Sequence, residues 1–257
     1  MDLKKYARQL SLNFIGEENQ KKLLNKTVLI IGLGGTGSAI ADLISRSGIK
    51  KLILIDRDKI EITNIHRQIL YDYYDIGKYK AETACKKIKN INPDIDLEYY
   101  NETFDASKIN LIKHVDLVFD GTDNMLTRFI INDACNKFNT PWVFTSANEV
   151  YGEIKAIIPN KTSCYACYNK EPTELPSCAV TGVLSTLPNV IGSFAVNLGI
   201  KILLGYDVSG DLHFFDVINF EVRKIKINKN EKCISCSLKN YKYLTKYYSN
   251  LGKSILS

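Results

Sequence analysis

The chain has 257 residues, with 45% hydrophobic and 24% charged side chains and a formal net charge of +6. This composition is ordinary for a globular protein. The lysines are scattered without a basic block, which disfavours nucleic-acid binding and favours an acidic protein as a partner. We find neither an apolar run of membrane-spanning length nor the core of a signal peptide, so we expect a cytoplasmic location.

The N-terminal part of the chain predicts a helix followed by a strand, helix and strand unit. Residues 1–25 carry apolar side chains at helical spacing, with Arg8 on the polar face, where a solvated side chain is the default interpretation. A buried strand at 28–31 enters a glycine turn, and a helix at 38–47 and a second strand at 51–55 follow. This order is typical of the first unit of a dinucleotide-binding sheet.

The glycine turn has the G-x-G-x-x-G pattern, with Gly32, Gly34 and Gly37 at its fixed positions. Gly32 permits the tight turn, Gly34 lets a phosphate approach the backbone, and Gly37 lets the helix pack close to the sheet. Asp56 ends the second strand near the distance expected for a residue that holds a ribose hydroxyl. Because a helix N-terminus also attracts anions, the pattern predicts adenine-nucleotide binding.

The segment that follows Asp56 is unusually polar for a dehydrogenase. Its polar side chains are Asp58, Asn64, Arg67, Gln68 and, further on, Lys80. Arginine and lysine stabilise charge on phosphates during attack at phosphorus, whereas hydride transfer gives them no evident role. A solvated charged loop is the alternative interpretation of this segment.

Strands and helices continue to alternate through the rest of the chain. We predict helices at about 78–90, 105–112, 124–138 and 188–204, and strands at about 95–100, 115–120, 142–146, 151–159, 212–217 and 220–227. The fold class is therefore α/β, a Rossmann-like, doubly wound and mostly parallel sheet with a C-terminal antiparallel extension. The expected divisions are a lead-in at 1–25, an ATP-binding half at 26–150, an extension at 151–236 and a peripheral tail at 237–257.

The predicted strand at 115–120 ends in the run FDGTDN. Ligands of doubly wound sheets bind beyond the carboxyl ends of the strands, which puts Asp123 beside the glycine turn. A carboxylate in that position is a candidate magnesium ligand. Either Thr122 or Asp123 also fits the N-cap of the next helix, and capping alone is the alternative role for Asp123.

Four of the seven cysteines form two C-x-x-C pairs, Cys164 with Cys167 and Cys233 with Cys236. Two such pairs supply the four thiolates of a closed, tetrahedral, structural zinc site. Four unrelated cysteines or two redox pairs are the alternatives, but they require the same spacing to arise twice. The spacing thus predicts a zinc knuckle with four cysteine ligands.

Several motifs follow one another in a fixed order: YARQL, GLGGTG, DRDKIEITNIHRQ, GKYKAE, FDGTDN and the two cysteine pairs. Over roughly residues 4–236 this combination resembles the ThiF/MoeB family of adenylyltransferases that activate ubiquitin-like sulfur carriers. The resemblance implies a homodimer in which each subunit binds ATP with Mg²⁺ and the C-terminal Gly-Gly of a small β-grasp protein. The glycine carboxylate attacks the α-phosphorus and gives an acyl-adenylate and pyrophosphate.

The resemblance also implies roles for residues around the nucleotide. Gly35 and its neighbours accept the nucleotide, and Asp56 holds the ribose. The groups implied to contact the phosphates and stabilise the transition state are Asn64, Arg67 and Lys80.

The resemblance also implies residues that bind the metal ion, reach the partner subunit or link to the carrier protein. Asp123 binds magnesium, with Asn124 beside it. Arg8 reaches the ATP of the partner subunit. Cys178 corresponds to a thiol that some members link covalently to the carrier and that others do not need.

Some questions stay open at this point. No rhodanese domain follows the second cysteine pair, so we expect a separate sulfur donor. The motifs do not distinguish carriers for molybdopterin, thiamine or tRNA thiolation from a protein-tagging modifier. An NAD-dependent oxidoreductase is an alternative that leaves Arg67, Lys80 and Asp123 without a role. A non-catalytic scaffold half of an activating enzyme is another, and it is expected to lose the phosphate-contacting residues.

Overall fold

The structure is a computed structural model that describes residues 3–169 and 181–245. It opens with a 3-10 helix (Leu3–Tyr6), α1 (Ala7–Leu10) and α2 (Gly16–Leu23). The lead-in expected for residues 1–25 is therefore largely helical from residue 3, with turns at 11–15 between the helices. Within the described ranges, no helix is both long and apolar enough to cross a membrane.

One eight-stranded sheet organises the described part of the chain. The strands are β1 (Thr27–Ile31), β2 (Lys51–Ile55), β3 (Asp96–Tyr100), β4 (Leu117–Asp120), β5 (Trp142–Asn148), β6 (Tyr151–Ile157), β7 (Leu212–Asp216) and β8 (Glu221–Ile225). Their spatial order is β3-β2-β1-β4-β5-β6-β7-β8. The pairs from β3 to β5 are parallel and those from β5 to β8 are antiparallel. The predicted fold class is confirmed.

Four longer helices cover the two faces of this sheet: α3 (Gly35–Arg46), α4 (Lys80–Ile91), α5 (Met125–Phe138) and α6 (Leu187–Leu203). Alternate residues of β1 point to opposite sides, so Val28 and Ile30 join the core under α3, α4 and α6. Leu29 and Ile31 join the core under α5. A strand covered on both faces must be apolar throughout, which explains the uninterrupted run VLII.

Several predicted element boundaries differ from the structure by a few residues. Helix α3 begins at Gly35, not at residue 38, and β4 begins at Leu117, not at residue 115. The predicted helix at 105–112 is a 3-10 helix at Ile109–His114. Its start is delayed because the carboxylate of Asp105 accepts hydrogen bonds from the amide and hydroxyl of Ser107, a turn that competes with helix formation. The expected division near residue 150 stays a prediction.

Three glycines bring the β1 turn into direct backbone contact with the end of β4. Gly32 has a φ of +85°, in the left-handed region that favours glycine. A Cβ atom on Gly37 would lie 1.9 Å from the carbonyl oxygen of Gly32, and one on Gly121 would lie 2.4 Å from the same atom. The roles predicted for Gly32 and Gly37 are therefore confirmed by the packing. Gly121 extends the contact to β4.

We expect Gly37→Ala to lower the free energy of unfolding by about 3 kcal/mol, because backbone atoms must move to admit the methyl group. Gly34→Ala is the matched control, since its Cβ would meet only Gln68 Nε2, at 3.9 Å. Urea unfolding of both variants measures the difference. Equal stability of the two variants would contradict the close contact at Gly37.

Candidate functional site

A cleft of about 790 Å³ lies beyond the carboxyl ends of β1, β2 and β4. This is the edge at which a doubly wound sheet binds its ligands. All the residues that the sequence predicts to bind nucleotide line it, namely Gly34, Gly35, Asp56, Asp58, Asn64, Arg67, Gln68, Lys80, Asp123 and Asn124. The fold thus brings together side chains that are up to 90 positions apart in the sequence.

The glycine turn forms the floor of the cleft. Among the described residues beyond its chain neighbours, no atom comes closer than 3.9 Å to the position of a Cβ on Gly34, so the backbone there is open to a ligand. A Cβ on Gly35 would instead lie 2.9 Å from the Cβ of Pro188, because Gly35 packs against the start of α6. Gln68 faces this floor, and its Oε1 atom is buried without a hydrogen-bond partner in the described structure. A buried acceptor of this kind fits a ligand that donates a hydrogen bond.

Asp56 connects the glycine turn to the loop after β2. One carboxylate oxygen accepts a hydrogen bond of 2.6 Å from the amide of Leu33, and the other accepts one of 2.7 Å from the amide of Asp58. Burial raises the pKa of Asp56, and the positive charge of Lys80 opposes that shift. Each carboxylate oxygen has a second lone pair, so Asp56 can still accept a ribose hydroxyl.

Two cations line one wall of the cleft. The Lys80 side chain is only 8% exposed, and its Nζ atom lies 3.1 Å from Oδ2 of Asp58, whose side chain is 53% exposed. Arg67 is anchored by a hydrogen bond of 2.6 Å from Nη1 to the carbonyl oxygen of Thr63. Both charges are thereby held at the cleft surface, where they can meet an anionic ligand.

Asn64 is a buried residue of the same wall. Its Oδ1 atom accepts a hydrogen bond of 3.2 Å from the amide of Glu61, which closes the capping box of a short 3-10 helix (Ile62–Asn64). Asn64 therefore fixes the turn that carries Arg67. Direct contact of Asn64 with phosphate stays a prediction.

The predicted N-cap of α5 is wrong, and the correction bears on Asp123. The capping residue is Asn124, whose Oδ1 atom accepts a hydrogen bond of 2.8 Å from the amide of Thr127. Thr122 is engaged elsewhere, because its amide and hydroxyl both donate to Asp120. Asp123 is exposed in the cleft, and no hydrogen bond or ion pair within the described residues engages it. Its carboxylate is thus available to a cation, as a magnesium ligand must be.

A buried ion pair next to the Asp123 turn was not predicted from the sequence. Nε of Arg128 lies 3.1 Å from Oδ2 of Asp120, and Nη2 donates to the carbonyl oxygens of Thr122 and Thr145 at 2.6 and 3.1 Å. Burial raises the pKa of Asp120, and Arg128 together with the Thr122 donors opposes that shift. Arg128 therefore fixes the turn before Asp123. The sequence does carry a signal for this pair. An acidic residue ends a strand, and an arginine follows it about two helical turns later.

The rim of the cleft is formed by the turn between β5 and β6 and the chain before α6. The amide of Glu149 donates to the carbonyl oxygen of Gly182 at 3.0 Å, and its own carbonyl oxygen accepts from the amide of Leu184 at 2.8 Å. Thr181 Oγ1 donates to Oδ1 of Asn148 at 2.6 Å. These bonds fix residues 181–184 at the rim.

Two predicted site residues are not part of this cleft. Arg8 is exposed on α1 and does not line the cleft of its own chain. Cys178 lies outside the residues that the structure describes. Their proposed roles stay predictions.

The four cysteines of the two C-x-x-C pairs meet beside helix α5, with all their sulfur atoms within 4.8 Å of one another. The separations include 3.6 Å for Cys164 to Cys233, 3.8 Å for Cys164 to Cys167 and 3.5 Å for Cys167 to Cys236. A tetrahedron with Zn–S bonds of about 2.3 Å has edges of about 3.8 Å. The donor set and its spacing therefore fit a structural zinc ion.

Helix α5 holds both cysteine pairs in place. Oδ1 of Asn132 accepts from the amide of Tyr165 at 2.9 Å, next to the first pair, and its Nδ2 donates to Oγ of Ser235 at 3.0 Å, inside the second pair. Oδ2 of Asp133 accepts from the amide of Tyr243 at 3.0 Å. The cysteine cluster is therefore built against the same helix whose N-terminus borders the cleft.

Comparison with known proteins decides the family. The ThiF family matches residues 6–236. The chain belongs to the ThiF family. It is 31% identical to a sulfur carrier protein adenylyltransferase of Thermus thermophilus, covering 91% of both chains. It is 33% identical to the sulfur carrier protein ThiS adenylyltransferase of Escherichia coli, covering 93% of this chain and 97% of that one. A SAMP-activating enzyme E1 of Haloferax volcanii is 30% identical, with 91% and 88% covered.

Solved structures agree with the fold of this ThiF-family chain. Escherichia coli MccB with AMPCPP and MccA gives a TM-score of 0.79 at 22% identity, covering 92% of this chain and 75% of that one. MccB with ATP gives 0.75 at 23% identity, covering 84% and 68%. The two proteins thus share the architecture of the described fold.

We expect Cys233→Ser to release zinc and lower the melting temperature, because metal binding to a site absent from the unfolded chain adds to the folding free energy. Metal analysis of protein prepared without chelator should find about one zinc ion per wild-type chain. Cys85→Ser, at a half-buried helical thiol outside the cluster, is the control and should retain the metal. Wild-type protein with little zinc would contradict the assignment.

The buried carboxyl of Asp133 should make the free energy of unfolding depend on pH. Burial raises the pKa of its carboxyl to about 6, and hydrogen bonds from Ser235, Tyr243 and Asn132 oppose the shift. The folded protein therefore holds this proton more tightly than the unfolded chain, and the contribution of Asp133 to stability falls as pH rises from about 4 to 6.

Relative to wild type, Asp133→Asn should gain about 1 kcal/mol of stability between pH 5 and pH 7, since the amide has no ionisation cost. Urea unfolding of both proteins at the two pH values measures the change, and effects of acid on the zinc thiolates cancel in the comparison. A pH-independent difference would contradict the raised pKa.

Proposed function

We propose that this chain uses ATP to adenylate the C-terminal glycine of a small ubiquitin-like β-grasp protein. Its family and its named relatives make it an adenylyltransferase of the ubiquitin-activating type. The observation that carries the proposal is the meeting, in one cleft, of an open glycine turn, two cations and an unpaired carboxylate. An NAD-dependent oxidoreductase has no use for Arg67, Lys80 and Asp123 in that cleft, and a non-catalytic scaffold has no use for any of these groups.

The glycine turn and its neighbours bind the nucleotide in this proposal. The open backbone at Gly34 and the N-terminus of α3 receive the phosphates. Asp56 accepts the ribose hydroxyl, and the unpartnered Oε1 of Gln68 accepts a further donor of the nucleotide. Asp58 holds Lys80 at the surface that faces the phosphates.

Asp123 and the cations act on the reacting phosphates. Magnesium, when bound, supplies positive charge that stabilises the pyrophosphate leaving group. Asp123 would hold that ion, and Asn124 and Arg128 fix the turn from which the carboxylate projects. Arg67 and Lys80 stabilise the negative charge that develops when the glycine carboxylate attacks the α-phosphorus. The products are an acyl-adenylate and pyrophosphate.

The proposed assembly is a homodimer in the cytoplasm that delivers activated carriers for sulfur transfer or protein tagging. Arg8, which lies outside its own cleft, reaches the cleft of the partner subunit. A separate protein donates the sulfur, and Cys178 provides a thiol for a covalent carrier link. The zinc ion is structural, because four thiolates leave no open coordination position.

The test is to combine the purified protein with each β-grasp protein of its genome that ends in Gly-Gly and to measure ATP–pyrophosphate exchange. Exchange that depends on one carrier supports the proposal and names the substrate. NADH absorbance with small carbonyl substrates tests the oxidoreductase. Absence of exchange with every carrier would overturn the proposed function.

We expect Asp123→Ala to reduce pyrophosphate exchange by roughly 100-fold or more, because the transition state loses a metal ligand. The melting temperature should not change, since Asp123 is exposed and no hydrogen bond or ion pair from the described part of the chain engages it. Glu18→Ala removes an exposed carboxylate of α2 outside the cleft and should retain activity. Substantial exchange by Asp123→Ala would contradict the magnesium role.

Arg8→Ala and Arg67→Ala should each be inactive, and mixing them in equal amounts should restore about a quarter of the sites if Arg8 acts across a two-fold dimer. Only the mixed dimers contain a cleft with an intact Arg67 that faces an intact Arg8. Subunit exchange is verified with differently tagged chains. No recovery in exchanged mixtures would show that Arg8 does not act across subunits.

A further inference from the structure

Tyr71 is a buried tyrosine between the glycine turn and helix α4 that the proposed adenylation does not use. The residue is 5% exposed, and its hydroxyl lies 3.1 Å from the carbonyl oxygen of Leu33 and 3.4 Å from that of Lys80. Leu33 belongs to the glycine turn, and Lys80 is the first residue of α4. Burial, together with the negative charges of Asp56 and Asp75, raises the pKa of Tyr71 well above its ordinary value. The hydroxyl therefore stays protonated and remains a donor.

The Tyr71 hydroxyl closes a ring of hydrogen bonds at the cleft. The amide of Leu33 donates to one carboxylate oxygen of Asp56 at 2.6 Å, and the amide of Asp58 donates to the other at 2.7 Å. The carbonyl oxygen of Asp58 accepts from the amide of Lys80 at 2.9 Å. Tyr71 then joins Lys80 back to Leu33. The glycine turn and the first residue of α4 are thus connected by two routes, one through Asp56 and one through Tyr71.

The two groups that Tyr71 joins are expected to act on the same ligand. Leu33 precedes the open backbone at Gly34, and Lys80 lines the cleft with its Nζ atom 3.1 Å from Asp58. In the proposed function, the turn receives the phosphates and Lys80 stabilises their charge. A hydroxyl that bonds the backbone of both groups fixes their separation before the ligand binds. A charge held in place in advance stabilises a ligand more than one that must first be ordered.

We propose that Tyr71 is a positioning residue that holds Lys80 in register with the glycine turn and so strengthens the binding of nucleotide phosphates. This inference rests on the proposed function, because it requires the cleft to bind ATP, but it does not require a carrier protein. The competing role is purely structural, in which the hydroxyl stabilises the fold and leaves the nucleotide affinity of the folded chain unchanged. A double-mutant cycle separates the two roles, since a positioning residue loses its effect when the Lys80 ammonium is absent.

The test measures the affinity for the ATP analogue AMPCPP with Mg²⁺, by titration calorimetry, for wild type, Tyr71→Phe, Lys80→Met and the double variant. Tyr71→Phe removes only the hydroxyl and should weaken binding by about fivefold, as expected for the loss of one hydrogen bond. In the Lys80→Met background, the same change should weaken binding by less than about twofold. Each titration is made well below the melting temperature of the variant, so that differences in stability do not enter the affinities.

The matched control is Tyr6→Phe, which removes the hydroxyl of another buried tyrosine. Tyr6 lies beside Gly48 at the opposite end of α3, and its hydroxyl accepts a hydrogen bond of 3.4 Å from Asn92. This variant should bind AMPCPP within about twofold of wild type, because the distant site shares no partner with the cleft. Lys80→Gln replaces Lys80→Met if the latter does not fold.

The outcomes separate this inference from the proposed function. Tyr71→Phe that weakens AMPCPP binding equally with and without the Lys80 ammonium, or in neither background, would overturn the positioning role and leave the proposed function intact. Wild-type protein that binds no AMPCPP would overturn both. Tight binding of AMPCPP without pyrophosphate exchange for any carrier would overturn the carrier reaction alone.

Discussion

The backbone contact among Gly32, Gly37 and Gly121 is the constraint on which the cleft depends. With a Cβ on Gly37 only 1.9 Å from the Gly32 carbonyl oxygen, no other residue fits there without moving α3 away from the sheet. That displacement would separate the glycine turn from the end of β4. Asp56 adds to the same constraint, because its carboxylate bonds the amide of Leu33 in the turn. The glycine turn and the Asp123 turn are therefore held at one fixed separation.

A buried ion pair stabilises the side of the cleft that carries Asp123. Arg128 lies under the Asp123 turn with its guanidinium shared among Asp120, Thr122 and Thr145. Breaking such a pair by removing one partner is costly, because the remaining charge stays buried. The arrangement thus fixes two backbone carbonyl groups and leaves the Asp123 carboxylate itself unengaged. A rigid support beneath a free ligand group is what metal binding at this position requires.

The sequence predicted the sheet and the cleft well where neighbouring residues alone determine the structure. Buried runs such as VLII and the glycine spacing specify β1 and its turn without reference to distant residues. The prediction was weaker where burial decides the role: Arg128 and Lys155 look like ordinary solvated cations until the sheet encloses them. The N-cap of α5 was misassigned because Thr122, Asp123 and Asn124 all have capping side chains, and only the bond from Thr122 to Asp120 removes the first of them. Arg8 could not be placed from one chain, because its proposed target lies in another.

Helix α5 has a consequence for how mutational data on this protein are interpreted. Its 14 residues span about 21 Å, with Asn124 and Arg128 at the cleft end and Asn132 and Asp133 at the zinc end. A disturbance of the cysteine cluster therefore acts on the same helix that positions the Asp123 turn. Reduced turnover in a cysteine variant would report a shifted or frayed helix, and it would not by itself make that cysteine a participant in the chemistry.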